Sequence, residues 1–150
     1  MTLSIRFDEL NNLMRTKGGI DSIRFCGVDS DSFKIIYTHT TVIPIIRKEI
    51  KKDVELQLSV YSASFSEVVF RNECGPLFGK FVPLVVKVLG RWIKWPEIMK
   101  TVIIDGNYVR VNLDKFEYRI PALVTAKRYF TLDDAFATAQ GFTVKLFPKL

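Results

Sequence analysis

Polar and apolar residues alternate most regularly between Val54 and Tyr61, where Val54, Leu56, Leu58 and Val60 take every second position and Glu55, Gln57, Ser59 and Tyr61 the rest. Successive side chains of a strand point to opposite faces, so this segment is predicted to be a strand with one face buried and one wet. Ser62 to Ser64 then predicts a turn into an antiparallel partner, Phe65 to Phe70. Earlier in the chain, Ile23 and Phe25 alternate with Ser22 and Arg24, and the polar stretch Gly27 to Ser32 separates them from the β-rich run Phe33 to Thr38. Together they read as a hairpin. Thr40 to Ile46 has the β-branched composition of a further strand, but Pro44 lacks an amide donor and confines it to an edge or a bulge. The charged run Arg47 to Asp53 reads as a solvated turn or strand end. Downstream, Thr101 to Ile104 and Tyr108 to Leu113 flank Asp105-Gly106-Asn107, whose Asp-Gly pair is a strong hairpin signal.

Elsewhere the period lengthens. Phe7, Leu10, Leu13 and Met14 recur at helical spacing, with Asp8 as a cap and Gly18-Gly19 as a stop. Pro121 to Phe130 predicts another helix. Thr131-Leu132-Asp133-Asp134 resembles a capping box with Asp in place of Glu, so helix is expected to continue through Ala135 to Ala139 until Gly141, before a last strand from Phe142 to Phe147. A helix followed by a hairpin occurs from Phe7 to Thr38 and again from Val82 to Leu113, but the two segments share little identity and chance explains the echo better than duplication. No Pro-, Gly- or Ser-rich linker divides the chain, so residues 1–150 are expected to form a single domain.

The stretch Gly75 to Pro96, GPLFGKFVPLVVKVLGRWIKWP, contains no acid. Wound at about 100° per residue, it gathers Lys80, Lys87, Arg91 and Lys94 into an arc of roughly 60°, flanked by Gly79, Pro83 and Gly90. Leu77, Phe78, Phe81, Val82, Leu84, Val85, Val86, Val88, Leu89, Trp92, Ile93 and Trp95 spread over roughly 200°, against a stripe of about 100° or a little more on an ordinary surface helix. Something must cover so wide an apolar face. Pro83 suits a first turn better than a helix interior, which places the start of regular helix near Val82, and Pro96 closes it. The longest charge-free run, Phe81 to Val86, is far shorter than the roughly 20 residues that span a bilayer, so no transmembrane segment is expected. The whole pattern predicts the α+β class: an antiparallel, curved sheet of hairpins packed on this central amphipathic helix, with shorter helices near the N-terminus and C-terminus.

Composition sharpens the picture in two respects. The 150 residues, 48% of them apolar and 13% aromatic, suffice for a genuine core. The net charge of +6 is localised: Met1 to Gly75 carries ten Lys and Arg against ten Asp and Glu, whereas Pro76 to Leu150 carries twelve against six. Such asymmetry suits an anionic membrane, a nucleic acid or an acidic partner, or is ordinary solubilising charge. The N-terminal MTLSIRFDEL is charged by its sixth residue, unlike a secretory signal, so a cytoplasmic location is expected, peripheral to a membrane if the basic helix meets one. Cys26 and Cys74 stand in no metal-ligand spacing and read as reduced thiols, with a bridge between them left open.

The inventory for catalysis is poor. His39 is the only histidine and sits among threonines at an expected strand end, where a solvated imidazole is commoner than a general base. Asp29 and Asp31 bracket a turn without the Gly and closing Glu of a calcium loop, and Asp133-Asp134 and Asp114 with Glu117 read as cap and surface charges. GxGxxG, GxxxxGK[ST] and GxSxG are absent. No metal site or cofactor is assigned. The expectation is therefore a non-catalytic binding module for a hydrophobic or lipid-like ligand or an anionic membrane surface, acting through the 76–95 helix. Phe65, Phe70, Phe78, Phe81, Trp92 and Trp95 are the candidate ligand-binding residues, and Lys80, Lys87, Arg91 and Lys94 the candidate contacts for an anionic surface. Two alternatives stand beside it: nucleic-acid binding through Tyr108, Arg110, Lys127, Arg128 and Tyr129, and a structural or protein-interaction domain with no small ligand.

Overall fold

The computed structural model describes residues 1–18, 22–29, 31–73, 75, 78–92, 96–116 and 120–149. Its elements in chain order are β1 (Thr2–Arg6), α1 (Phe7–Gly18), β2 (Ile23–Asp29), β3 (Ser32–Ile43), β4 (Lys48–Ala63), β5 (Glu67–Asn72), α2 (Phe78–Trp92), β6 (Val102–Asp105), β7 (Tyr108–Asn112), α3 (Pro121–Tyr129), β8 (Phe130–Ala137) and β9 (Gly141–Pro148). Short 3₁₀ turns at Pro96–Thr101 and Leu113–Phe116 complete the path. The class is α+β, with every strand pair antiparallel. A six-stranded sheet runs β2-β3-β4-β5-β7-β6, and a three-stranded sheet runs β1-β9-β8.

The alternating segment from Val54 is the inner half of β4. Leu56 and Leu58 are buried while Glu55 and Tyr61 face water, as the two-residue period requires. Its outer half is the charged run Lys48–Asp53, which pairs with Thr38 to Ile43 instead of forming a turn. Thr40 to Ile43 likewise continues β3, and Pro44 lies in the turn, where its missing amide costs no ladder bond. One hairpin of two long strands therefore replaces the separate strand and solvated turn that composition suggests. The hairpin around Gly106 forms as expected, with Gly106 at φ +59°.

Three further expectations are corrected. Phe130–Ala137 is strand β8, not a helix continuing to Ala139. The register shifts between Leu132 and Asp134, so Asp133 is the extra residue of a bulge. That insertion turns a two-residue alternation into the 132, 135, 136 spacing of a helix. Regular helix in α2 begins at Phe78 and Pro83 lies inside it, so the apolar packing of this helix outweighs the bond that Pro83 cannot make to the Gly79 carbonyl. At the N-terminus, residues 2–6 form β1, and Asp8 sits in the first turn of α1 and accepts a hydrogen bond from the Glu9 amide instead of capping the helix.

The core collects Phe7 and Met14 of α1, Ile23 of β2, Phe33 and Ile35 of β3, Leu56 and Leu58 of β4, Val82 and Val85 of α2, Val109 of β7 and Ala137 of β8. Phe33 and Phe142 meet edge to face at 4.8 Å between ring centroids, Phe7 and Phe142 at 5.0 Å, and Phe33 and Phe70 at 5.8 Å. Phe142 comes from the three-stranded sheet, so these rings join the two sheets. Asn11 of α1 closes the free edge of β2: its side-chain oxygen accepts from the Phe25 amide at 2.7 Å and its side-chain nitrogen donates to the Phe25 carbonyl at 2.9 Å.

Candidate functional site

On α2, Val82 and Val85 are buried, and Val86 and Leu89 on the same side are half-buried. Leu84, Lys87 and Arg91 point the opposite way, into solvent. Residues three and four apart share a helix face, so Leu84 belongs with the cations and not with the apolar arc in which its chemistry would place it. Gly90, expected to border the polar face, is buried.

Between the inner face of α2 and the strands lies a cavity of about 300 Å³. α2 contributes Val82, Val85, Val86 and Leu89 to its wall, β3 and β4 contribute Phe33, Ile35, Leu56 and Leu58, and β7 contributes Val109 and Val111. Phe25, Phe70, Val102, Leu10, Phe142, Ile98 and Phe116 close the rest. Every described side chain in this wall is apolar. The buried polar group nearby, the Thr101 hydroxyl, is satisfied internally by donating to the Ile98 carbonyl at 2.6 Å.

Of the candidate ligand-binding residues, Phe70 lines the cavity. Phe65 does not. It sits half-buried in the connection between β4 and β5, ahead of the strand that carries Phe70 inward. Phe78, Lys80, Phe81 and Trp92 fall on α2 with side chains outside the described residues, as do Lys94, Trp95 and Cys74 altogether. Lys87 and Arg91 are exposed as an anionic-surface contact requires. The cavity residues that helix-centred reasoning missed, such as Leu10, Phe25 and Phe142, belong to segments with clear apolar periodicity. Nothing in one sequence tells which core positions converge on a void.

Polar clusters lie on the six-stranded sheet and between α3 and the Leu113–Phe116 turn. Glu73 accepts from Arg71 Nε at 2.8 Å and from the Ser59 hydroxyl at 2.9 Å. The hydrogen bond from Arg71, followed by that from Ser59, holds the Glu73 carboxyl below its usual range, and the same bond to Glu73 raises Arg71. Arg110 pairs with Glu67 at 3.2 Å and with Asp105 at 3.5 Å, and Lys127 pairs with Asp114 at 3.1 Å. The Tyr108 ring stands against Tyr61, 4.9 Å between centroids. Three of the five residues considered for nucleic acid are thus engaged within the chain, while Arg128 and Tyr129 are exposed on α3. Cys26 is a free, half-buried thiol. Among the described residues no helix is long and apolar enough to cross a membrane. Comparison of the chain with protein-family models, curated proteins and solved structures finds no significant match to any of them.

Proposed function

We propose that the chain is a non-catalytic binding module whose antiparallel strands and central helix α2 enclose a hydrophobic or lipid-like ligand. The observation that carries this reading is the cavity of about 300 Å³ with its entirely apolar described wall. The pocket is partly open to solvent, and each Å² of its apolar wall left in water costs roughly 25 cal/mol. An apolar occupant offsets that cost. The volume stands at the lower end of the usual range for ligand sites, about 300–1,000 Å³, and suits a small apolar molecule or one short acyl chain. No described wall residue can hydrogen-bond, so a polar head group would stay at the mouth while the tail enters. Lys87 and Arg91, on the far side of α2, would draw the module toward an anionic surface.

A fluorescent fatty acid titrated into the full chain tests the proposal. Binding should quench or enhance the probe saturably and be displaced by unlabelled fatty acid. Val86→Phe and Leu89→Phe, which enlarge half-buried wall residues, should abolish binding while leaving the melting temperature unchanged or higher. No saturable binding, or binding indifferent to both replacements, overturns it.

A further inference from the structure

We propose that the far end of the β3–β4 ribbon is a contact site for an anionic lipid surface, independent of the cavity and of α2. Among the described residues, β2 accompanies β3 as far as Tyr37, with one more bond from the Thr38 amide to the Ser22 carbonyl. β5 joins β4 only from Leu58 onward. Among the described residues no third strand pairs with the ladder from Thr38↔Asp53 to Ile43↔Lys48, a two-stranded ribbon about 17 Å long at roughly 3.4 Å per residue.

Its tip has a composition that water does not favour. Ile45 is 93% exposed, Ile46 60%, Val42 58% and Ile50 45%. A ribbon of two strands is marginal by itself and is ordinarily blunted with polar residues. Interleaved with these side chains are Arg47, Lys48, Lys51 and Lys52, all exposed, against the single acid Glu49 between them. None of the four cations joins an ion pair among the described residues.

The partner must accept both sets of groups at once. Nucleic acid offers phosphates to the cations but takes isoleucines only as wedges between unstacked base steps, at a cost of about a few kcal/mol per step. A protein interface accommodates the isoleucines but is depleted in lysine. The boundary of an anionic bilayer offers both: acyl chains for the apolar tip and phosphate or carboxylate head groups for the cations just behind it. Ile45 and Ile46 enter the acyl boundary, and Arg47, Lys48, Lys51 and Lys52 lie at head-group depth.

Co-sedimentation of the full chain with vesicles of phosphatidylcholine, with and without phosphatidylserine, tests the inference. The chain should pellet with the mixed vesicles and remain in solution with phosphatidylcholine alone. Replacing Lys48, Lys51 and Lys52 with Gln should lower partitioning roughly a hundredfold, since each surface cation contributes about fivefold. Ile45→Ser with Ile46→Ser should lower it at least roughly tenfold through lost apolar burial. Both variants should melt with the parent, because the altered side chains are exposed. Failure to pellet with the mixed vesicles, or pelleting indifferent to either set of replacements, overturns the inference. So does oligonucleotide binding that displaces the vesicles and depends on the lysines alone, or lipid-free self-association that the isoleucine replacements abolish. The Val86→Phe and Leu89→Phe chain should still pellet, which separates this site from the cavity.

Discussion

Glu73 gathers donors from two neighbouring places on the sheet, Ser59 of β4 and Arg71 of β5, and the outcome is a carboxylate held below its ordinary pKa. The sign of its contribution follows. A depressed folded-state pKa stabilises the fold above the unfolded value of about 4.3, and the benefit disappears as pH falls through the folded value. Glu73→Gln retains a side-chain oxygen for the Ser59 hydroxyl and removes only the charge. Denaturant unfolding should show the variant less stable than the parent at neutral pH by under about 1 kcal/mol, since the pair is partly solvated. The gap should close in acid below the ordinary glutamate range. A gap that persists unchanged there would mean that the charge is not its source. Arg71 is raised further above a range in which it is already always protonated, so it adds no pH dependence of its own.

At the scale of elements, Asn11 adds a hydrogen-bonded link to the apolar packing of Phe7 and Met14 that seats α1 on the sheet. Asn11 supplies both the donor and the acceptor that a neighbouring strand would offer Phe25, so it protects the exposed edge of β2 and fixes the helix beside it. Asn11→Ala leaves two partly buried backbone groups without partners and should cost about 1–3 kcal/mol. Hydrogen exchange at the Phe25 amide should accelerate more than at the Phe33 amide, across the hairpin. Equal acceleration at the two would point to a general loss of stability and not to an opened edge. This contact is illegible in the sequence, where Asn11 is one polar residue beside the apolar stripe of Phe7 and Met14. β8 shows the opposite kind of failure. Its residues carry a readable pattern, but the bulge at Asp133 shifts the alternation by one, and a shifted alternation over few residues mimics a helix. Long unbroken patterns such as Val54 to Val60 do not suffer this, because no single insertion can disguise them.

At the scale of the molecule, the two sheets come close where Gly27 of β2 faces the backbone of Ala139 in the β8–β9 connection. A β-carbon at Gly27 would overlap the Ala139 carbonyl, and backbone cannot move aside as a side-chain end can. Gly27→Ala should therefore destabilise by roughly 1–3 kcal/mol or more, whereas Val28→Ala, at an exposed position of the same strand, should cost under about 0.5 kcal/mol. Thermal unfolding of the two variants makes the comparison, and similar melting points would show that the sheets can separate without penalty. The sequence by itself determined the α+β class, the hairpins around Gly106 and after Val54, and an apolar, basic helix ahead of Pro96. Each of these rests on the local period of side-chain direction or on turn chemistry, which act within a few residues. Only the tertiary structure decided that Leu84 faces water beside Lys87 and Arg91, that Phe25, Phe70 and Phe142 meet around one cavity, and that Val42, Ile45 and Ile46 stand exposed on a ribbon. Those outcomes depend on which distant segments pair and where each pairing ends, and hydrophobicity along a chain records the need for burial without recording the partner that satisfies it.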